Sequence, residues 1–208
     1  MQRWFLLLGL CCQGAQAAEL YALNPADNRW PLVDERSEAP VGNPLAANYY
    51  LIFDGSGSMA GLDCGDGQRK IEVAREAIRQ FAEQVPADAN LGLYVFDHKG
   101  ESERVALGQG QGNRARFKEA VAGVVVGNNT PLKSATLHAY QQLTRQAERQ
   151  RGYGEYHLVV VTDGVSTDGD PLPVVTNILQ ESPVLVETIG FCIQEKHTLN
   201  QPGLTSYR

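Results

Sequence analysis

Tyr49-Tyr50-Leu51-Ile52-Phe53-Asp54-Gly55-Ser56-Gly57-Ser58-Met59-Ala60-Gly61 is the stretch that decides how this chain folds. The apolar run 50–53 predicts a short buried strand, closed at once by glycines. At its end an acidic residue and two hydroxyls recur at every second position. In a nearly extended chain alternate residues point the same way, so Asp54, Ser56 and Ser58 project together from the strand's C-terminal end. The glycines between them leave the backbone free to curl. Three hard oxygen donors aimed at one point favour a hard cation, Mg²⁺ before most others. The competing reading is a polar turn whose Asp and Ser satisfy only backbone groups.

Other glycine- and serine-bearing motifs do not fit. A hydrolase nucleophile elbow needs glycines two residues either side of its serine, and neither Ser56 nor Ser58 has them. No Gly-Lys-Ser/Thr follows a four-residue spacer, which excludes a P-loop. Residues 163–170 lack the staggered acidic ladder and closing Glu of an EF-hand.

Two further segments carry matching chemistry. Residues 157–162, His-Leu-Val-Val-Val-Thr, predict a second buried strand that ends in Asp163-Gly164. Asn128-Asn129-Thr130-Pro131-Leu132 opens a helix with apolar positions Leu132, Ala135, Ala139, Leu143 and Ala147. Each has a plainer alternative. Thr130 before Pro131 has the form of an N-cap followed by a proline at the first helical position. Asp163-Gly164 could be an ordinary turn.

Taken together and in this order, these segments resemble the von Willebrand factor type A (vWA) domain family. Asp54, Ser56, Ser58, Thr130 and Asp163 match the family's metal ion-dependent adhesion site. The likeness runs from about residue 48 to the end of the chain. It includes the strand near 91–97, Val161-Thr162-Asp163-Gly164 and Val186-Glu187-Thr188-Ile189-Gly190-Phe191. Asn128-Asn129 departs from relatives that often carry glycines there, but Asn tolerates left-handed geometry. The resemblance implies a Rossmann-like three-layer α/β sandwich, its mostly parallel sheet covered by helices on both faces. It implies that Ser56, Ser58 and Thr130 supply neutral oxygens while Asp54 and Asp163 act mainly through waters or hydrogen bonds. A cation so held keeps Lewis acidity for a partner protein's Asp or Glu carboxylate. Mg²⁺ is the expected ion, with Mn²⁺ and Ca²⁺ as alternatives. Relatives continue past the strand at 184–191 with a loop, another strand and a final helix, so a C-terminally truncated domain is expected here.

The rest of the sequence agrees with one α/β unit. Helix marks at Ile71, Ala74, Ile78, Phe81 and Val85 precede a strand at 91–96, and residues 104–107 suggest a short edge strand. Gly108–Gly112 fails the dinucleotide fingerprint, because Asn113 stands where the third glycine belongs, and reads as a loop. Phe117, Val121 and Val124 mark another helix; Asp170-Pro171 caps one that ends before Pro183; residues 184–191 form a buried strand. Alternating strands and helices imply a parallel sheet with its ligand site beyond the strands' carboxyl ends.

Arg3, the apolar run 4–10 and Ala15-Gln16-Ala17 have the layout of a cleaved secretory signal, residues 1–17. The apolar run is too short to span a bilayer, and Leu10 stands where a lipoprotein signal would carry a small residue. Residues 18–47, with four prolines and no sustained periodicity, read as an irregular arm, leaving 48–208 as the domain. The 208 residues carry 18 basic and 24 acidic side chains with no basic run, which argues against nucleic acid or anionic lipid as partner. Signal cleavage discards Cys11 and Cys12, and an even pair in an exported chain, Cys64 and Cys192, favours a disulfide. The four histidines have no metal-ligand spacing.

The function expected is a periplasmic or cell-surface, metal-dependent protein-binding module rather than an enzyme. A metal-dependent hydrolase would need a base or nucleophile beside the motif, and none is visible. An accessory vWA subunit of an AAA+ ATPase would work in the cytoplasm and retain its leader.

Overall fold

The computed structural model describes residues 30–31, 42–62, 67–190 and 199, and the backbone of 206–207. Among these residues six strands form one sheet in the order β3-β2-β1-β4-β5-β6. The central strand, β1 (Asn48–Asp54), lies between β2 (Asn90–Asp97) and β4 (Tyr156–Thr162), parallel to both. Beyond β4 follow β5 (Leu185–Gly190) and β6 (Ser206–Tyr207), also parallel. Only β3 (Gly100–Gly108) is antiparallel, returning beside β2.

The run 50–53 has no polar face because both of its faces are covered. Tyr50 and Ile52 pack with Leu158 and Val160 under α3 (Leu132–Gln150) and α4 (Leu172–Glu181). Leu51 and Phe53 point the other way and pack with Leu93, Val95, Val159 and Val161 under α1 (Lys70–Gln84) and α2 (Gly110–Ala122). This is the two-residue period of a strand buried on both sides. Each of these side chains is essentially inaccessible, and burying one contributes about 1.5–3 kcal/mol. The helix marks behave likewise: Leu132, Ala135, Ala139, Leu143 and Ala147 are all buried on α3.

Three elements differ from the sequence expectation. The edge strand is longer than 104–107, because only Val105 of its nine residues is buried and the polar ones hide it from a hydropathy reading. The glycine-rich stretch is not wholly loop, since α2 starts at Gly110. Part of the arm belongs to the fold: the Trp30 ring meets Tyr156 edge-on at 5.0 Å and stacks on Tyr140 at 6.3 Å. At the sheet's other edge β6 pairs with β5, Ser206 in register with Glu187. Cys11, Cys12, Cys64 and Cys192 lie outside the described residues. Among those described, no helix is long and apolar enough to cross a membrane.

From β1 the chain crosses through α1 to β2 on one side. After β3, α2 and α3 it re-enters the sheet as β4 on the other. The strand order therefore reverses between β1 and β4, and the crevice beyond their carboxyl ends is where an open α/β sheet binds ligands.

Candidate metal centre

Asp54 is the last residue of β1 and is fully buried. Its Oδ1 accepts the Ser56 N–H at 2.8 Å, which curls the chain over the strand end. Its Oδ2 accepts the Thr162 hydroxyl at 2.6 Å. Burial pushes the carboxyl up to about 6; the Ser56 and Thr162 hydrogen bonds oppose that rise, and the neighbouring Asp163 charge adds to it. An anion in so poorly solvated a position is suited to a cation.

The hydroxyls follow in order. Ser56 is buried and its Oγ lies 3.1 Å from Ser58 Oγ. Ser58 is exposed, which opens the site to solvent, and it donates to Asp163 Oδ1 at 2.7 Å. Thr130 Oγ1 and Ser58 Oγ lie 3.6 and 3.5 Å from the point a Cβ on Gly164 would occupy, so both hydroxyls border Gly164 and are at most 7.1 Å apart. All five residues expected from the sequence thus come together from three loops. Two carboxylates and three hydroxyls form the hard, all-oxygen donor set that Mg²⁺, Mn²⁺ or Ca²⁺ takes, so the residues present fit such an ion. Among the described residues no three His, Cys, Asp or Glu side chains converge to offer a different kind of centre.

The N-cap alternative for Thr130 does not hold. The residue preceding α3 is Pro131, and no side chain caps that helix end from within its own turn. The capping role falls to Asp168, whose Oδ1 and Oδ2 accept the N–H groups of Lys133 and Ser134 at 3.0 and 2.8 Å. Burial pushes the Asp168 carboxyl up, but hydrogen bonds from Ser166, Ser134 and Lys133 outweigh it and hold the group below its ordinary value. Thr167 pins the same loop: its Oγ1 accepts the Thr130 N–H at 3.1 Å and its N–H donates to Thr130 O at 2.9 Å. Asp168→Ala should therefore cost about 1–2 kcal/mol, the usual cost of a lost cap. Chemical denaturation would measure it, and an unchanged midpoint would contradict the assignment.

The departure at Asn128 is accommodated as expected. Asn128 is left-handed, with φ at 65°. Its Nδ2 donates to the carbonyls of Asp97 and His98 at 2.9 and 3.0 Å, and its carbonyl accepts the Gly57 N–H at 3.2 Å. Asp97, also at a strand end, is not a further donor. Its carboxylate is taken up by Lys99 N–H, Arg104 and Val125 N–H.

Thr162, Thr167, Asp168 and Lys70 support the site but were not among the expected site residues. Thr162 alone had a possible clue, as the last residue of a strand parallel to β1 and in step with it. Lys70 opens α1, and its Nζ donates to Asp163 Oδ2 at 3.0 Å.

A family model described as the von Willebrand factor type A domain matches residues 48–205. The uncharacterized Bacillus subtilis protein YwmD is 27% identical over 157 residues, which span 69% of this chain and 67% of YwmD. The structure of manganese-loaded Plasmodium vivax TRAP protein is similar, with a TM-score of 0.55 at 19% identity over 79% of this chain and 69% of that one. So is proximal thread matrix protein 1 of the mussel byssus with a zinc-occupied MIDAS motif, at a TM-score of 0.51 and 15% identity over 70% of this chain and 36% of that one. At such identities the structural likeness is one of fold.

Proposed function

We propose that this chain, which belongs to the von Willebrand factor type A domain family, is an exported, metal-dependent protein-binding module. Asp54, Ser56, Ser58, Thr130 and Asp163 hold one divalent cation, preferably Mg²⁺. A partner protein's Asp or Glu carboxylate completes its coordination. The observation that carries this reading is the Ser56–Ser58–Asp163 oxygen chain, at 3.1 and 2.7 Å, beside the buried Asp54 carboxylate. Neutral hydroxyls leave the cation's charge less than fully offset, which favours an anionic ligand, and one such bond can set the register of a wider interface.

The similar TRAP and byssus structures, described as manganese-loaded and zinc-occupied, support a divalent ion at this fold's site. The leader-like residues 1–17 support export, to the periplasm or cell surface, where Cys64 and Cys192 would pair. The chemistry favours binding over turnover, because Lys70, a basic side chain at the cluster, is engaged by Asp163.

Calorimetric titration of EDTA-stripped protein with Mg²⁺ and Mn²⁺ tests the site, with one ion per chain expected. Capture of envelope proteins with and without EDTA tests the partner. No heat at millimolar ion would refute the reading.

A further inference from the structure

Lys70 places a positive charge beside the candidate cation site. It is 7% exposed, and its ammonium lies 3.0 Å from Asp163 Oδ2 while Ser58 holds Oδ1. Asp163 is thereby clamped between the hydroxyl cluster and a fixed ammonium. Among the described residues, Asp97 is engaged with Arg104 and Asp168 with the start of α3.

The charge balance gives this clamp a consequence. The hydroxyls are neutral, but the charges of Asp54 and Asp163 lie close enough to weaken the pull of a bound divalent ion on a further anion. Lys70 makes the loaded site one unit of charge more positive than it would otherwise be. We propose that Lys70 is a specificity-determining residue of the centre. By taking up one carboxylate charge it weakens the grip on the cation and strengthens the pull on an anionic ligand. The inference rests on the metal-site reading above. It also makes Asp163 a fixed hydrogen-bonding group rather than a carboxylate free to swing onto the ion.

Lys70→Met tests this, with Lys70→Arg as the charge-retaining control and Mn²⁺ and acetate as probes. Calorimetry gives the Mn²⁺ affinity, and water-proton relaxation of the Mn²⁺-loaded protein reports acetate displacing metal-bound water. Removing a unit charge so close to a divalent ion should tighten Mn²⁺ binding roughly tenfold. Acetate binding should weaken by a similar factor, and Lys70→Arg should stay within about threefold of the wild type on both. A purely structural ion pair would behave differently: its loss leaves Asp163 buried without a counter-ion and lowers thermal stability, with no opposed shift in the two affinities. If Lys70→Met does not fold, Lys70→Gln, which keeps a neutral donor, should show the same opposed shifts. Affinities that both stay unchanged, or both fall, overturn the proposal. A wild type that binds no Mn²⁺ overturns the metal site itself, which separates the two failures.

Discussion

Asp54→Asn is expected to abolish divalent-cation binding, by roughly 100-fold or more, while making the EDTA-stripped protein more stable at neutral pH. The two effects have opposite signs because one group causes both. The carboxyl is fully buried and its pKa is raised from 3.8 to about 6. A folded-state acid with a raised pKa holds its proton longer than the unfolded chain does, so stability falls as pH rises between those values. Below pH 3.8 both states are protonated at this group, and wild type and variant should match. Above about 6 the wild type keeps a poorly solvated anion that the amide lacks. A shift of this size corresponds to about 3 kcal/mol at most. The gain should be smaller, because the amide would donate to Thr162 Oγ1 where the carboxylate accepts from it. Urea unfolding of both proteins in EDTA at pH 4 and 7.5 measures the difference. A gap that does not grow with pH would contradict this account, and retained Mg²⁺ binding by the variant would remove Asp54 from the site.

The second large effect belongs to Gly55→Ala. A Cβ there would lie 2.6 Å from Val124 Cγ1, 2.9 Å from Asp97 Cβ and 3.1 Å from Phe96 O. Val124 is buried in the core under α1 and α2 and has nowhere to retreat. The backbone cannot yield easily either. Gly55 N–H donates to Phe96 O at 2.8 Å, and Gly55 O accepts the Gly127 N–H at 2.9 Å. Overpacking of this kind should cost about 2–3 kcal/mol. Because the residue sits between Asp54 and Ser56, any relief by backbone movement should also weaken cation binding. Gly57→Ala is the internal control. Its Cβ would come no closer than 3.8 Å to Asn128 O, an ordinary contact, so its stability should stay within about 0.5 kcal/mol of the wild type. Equal losses from the two substitutions would mean that both glycines serve chain flexibility rather than close approach.

These two residues also mark what is and is not readable from the chain. Gly55 and Gly57 look alike in sequence, as spacers between donors, yet only Gly55 lies against β2 and the Val124 loop. Contacts of that kind join residues distant along the chain and leave no local pattern. The strands at 50–53 and 157–162 were legible because burial on both faces removes every polar position from them. The face of α3 was legible because its apolar residues recur at helical spacing. Asp54, Ser56, Ser58, Thr130 and Asp163 were legible as candidates because donor type and spacing are local properties.

The role of Thr130 was not, since a hydroxyl before Pro131 suits a cap as well as a ligand. Only the packing of residues 163–170 against α3 shows that the cap comes from elsewhere, from Asp168 on its first N–H groups. Nor was the full extent of the strand at 100–108, of which only 104–107 was expected, because one buried side chain in nine gives little hydrophobic signal. By itself the sequence determined the order of strands and helices, the buried faces and the chemistry available at the strand ends, all set by local period and residue type. Only the tertiary structure decided which groups meet: the reversal of strand order between β1 and β4, the Thr162 bond to Asp54 and the Lys70 ammonium on Asp163. Those depend on through-space distances that no spacing along the chain encodes.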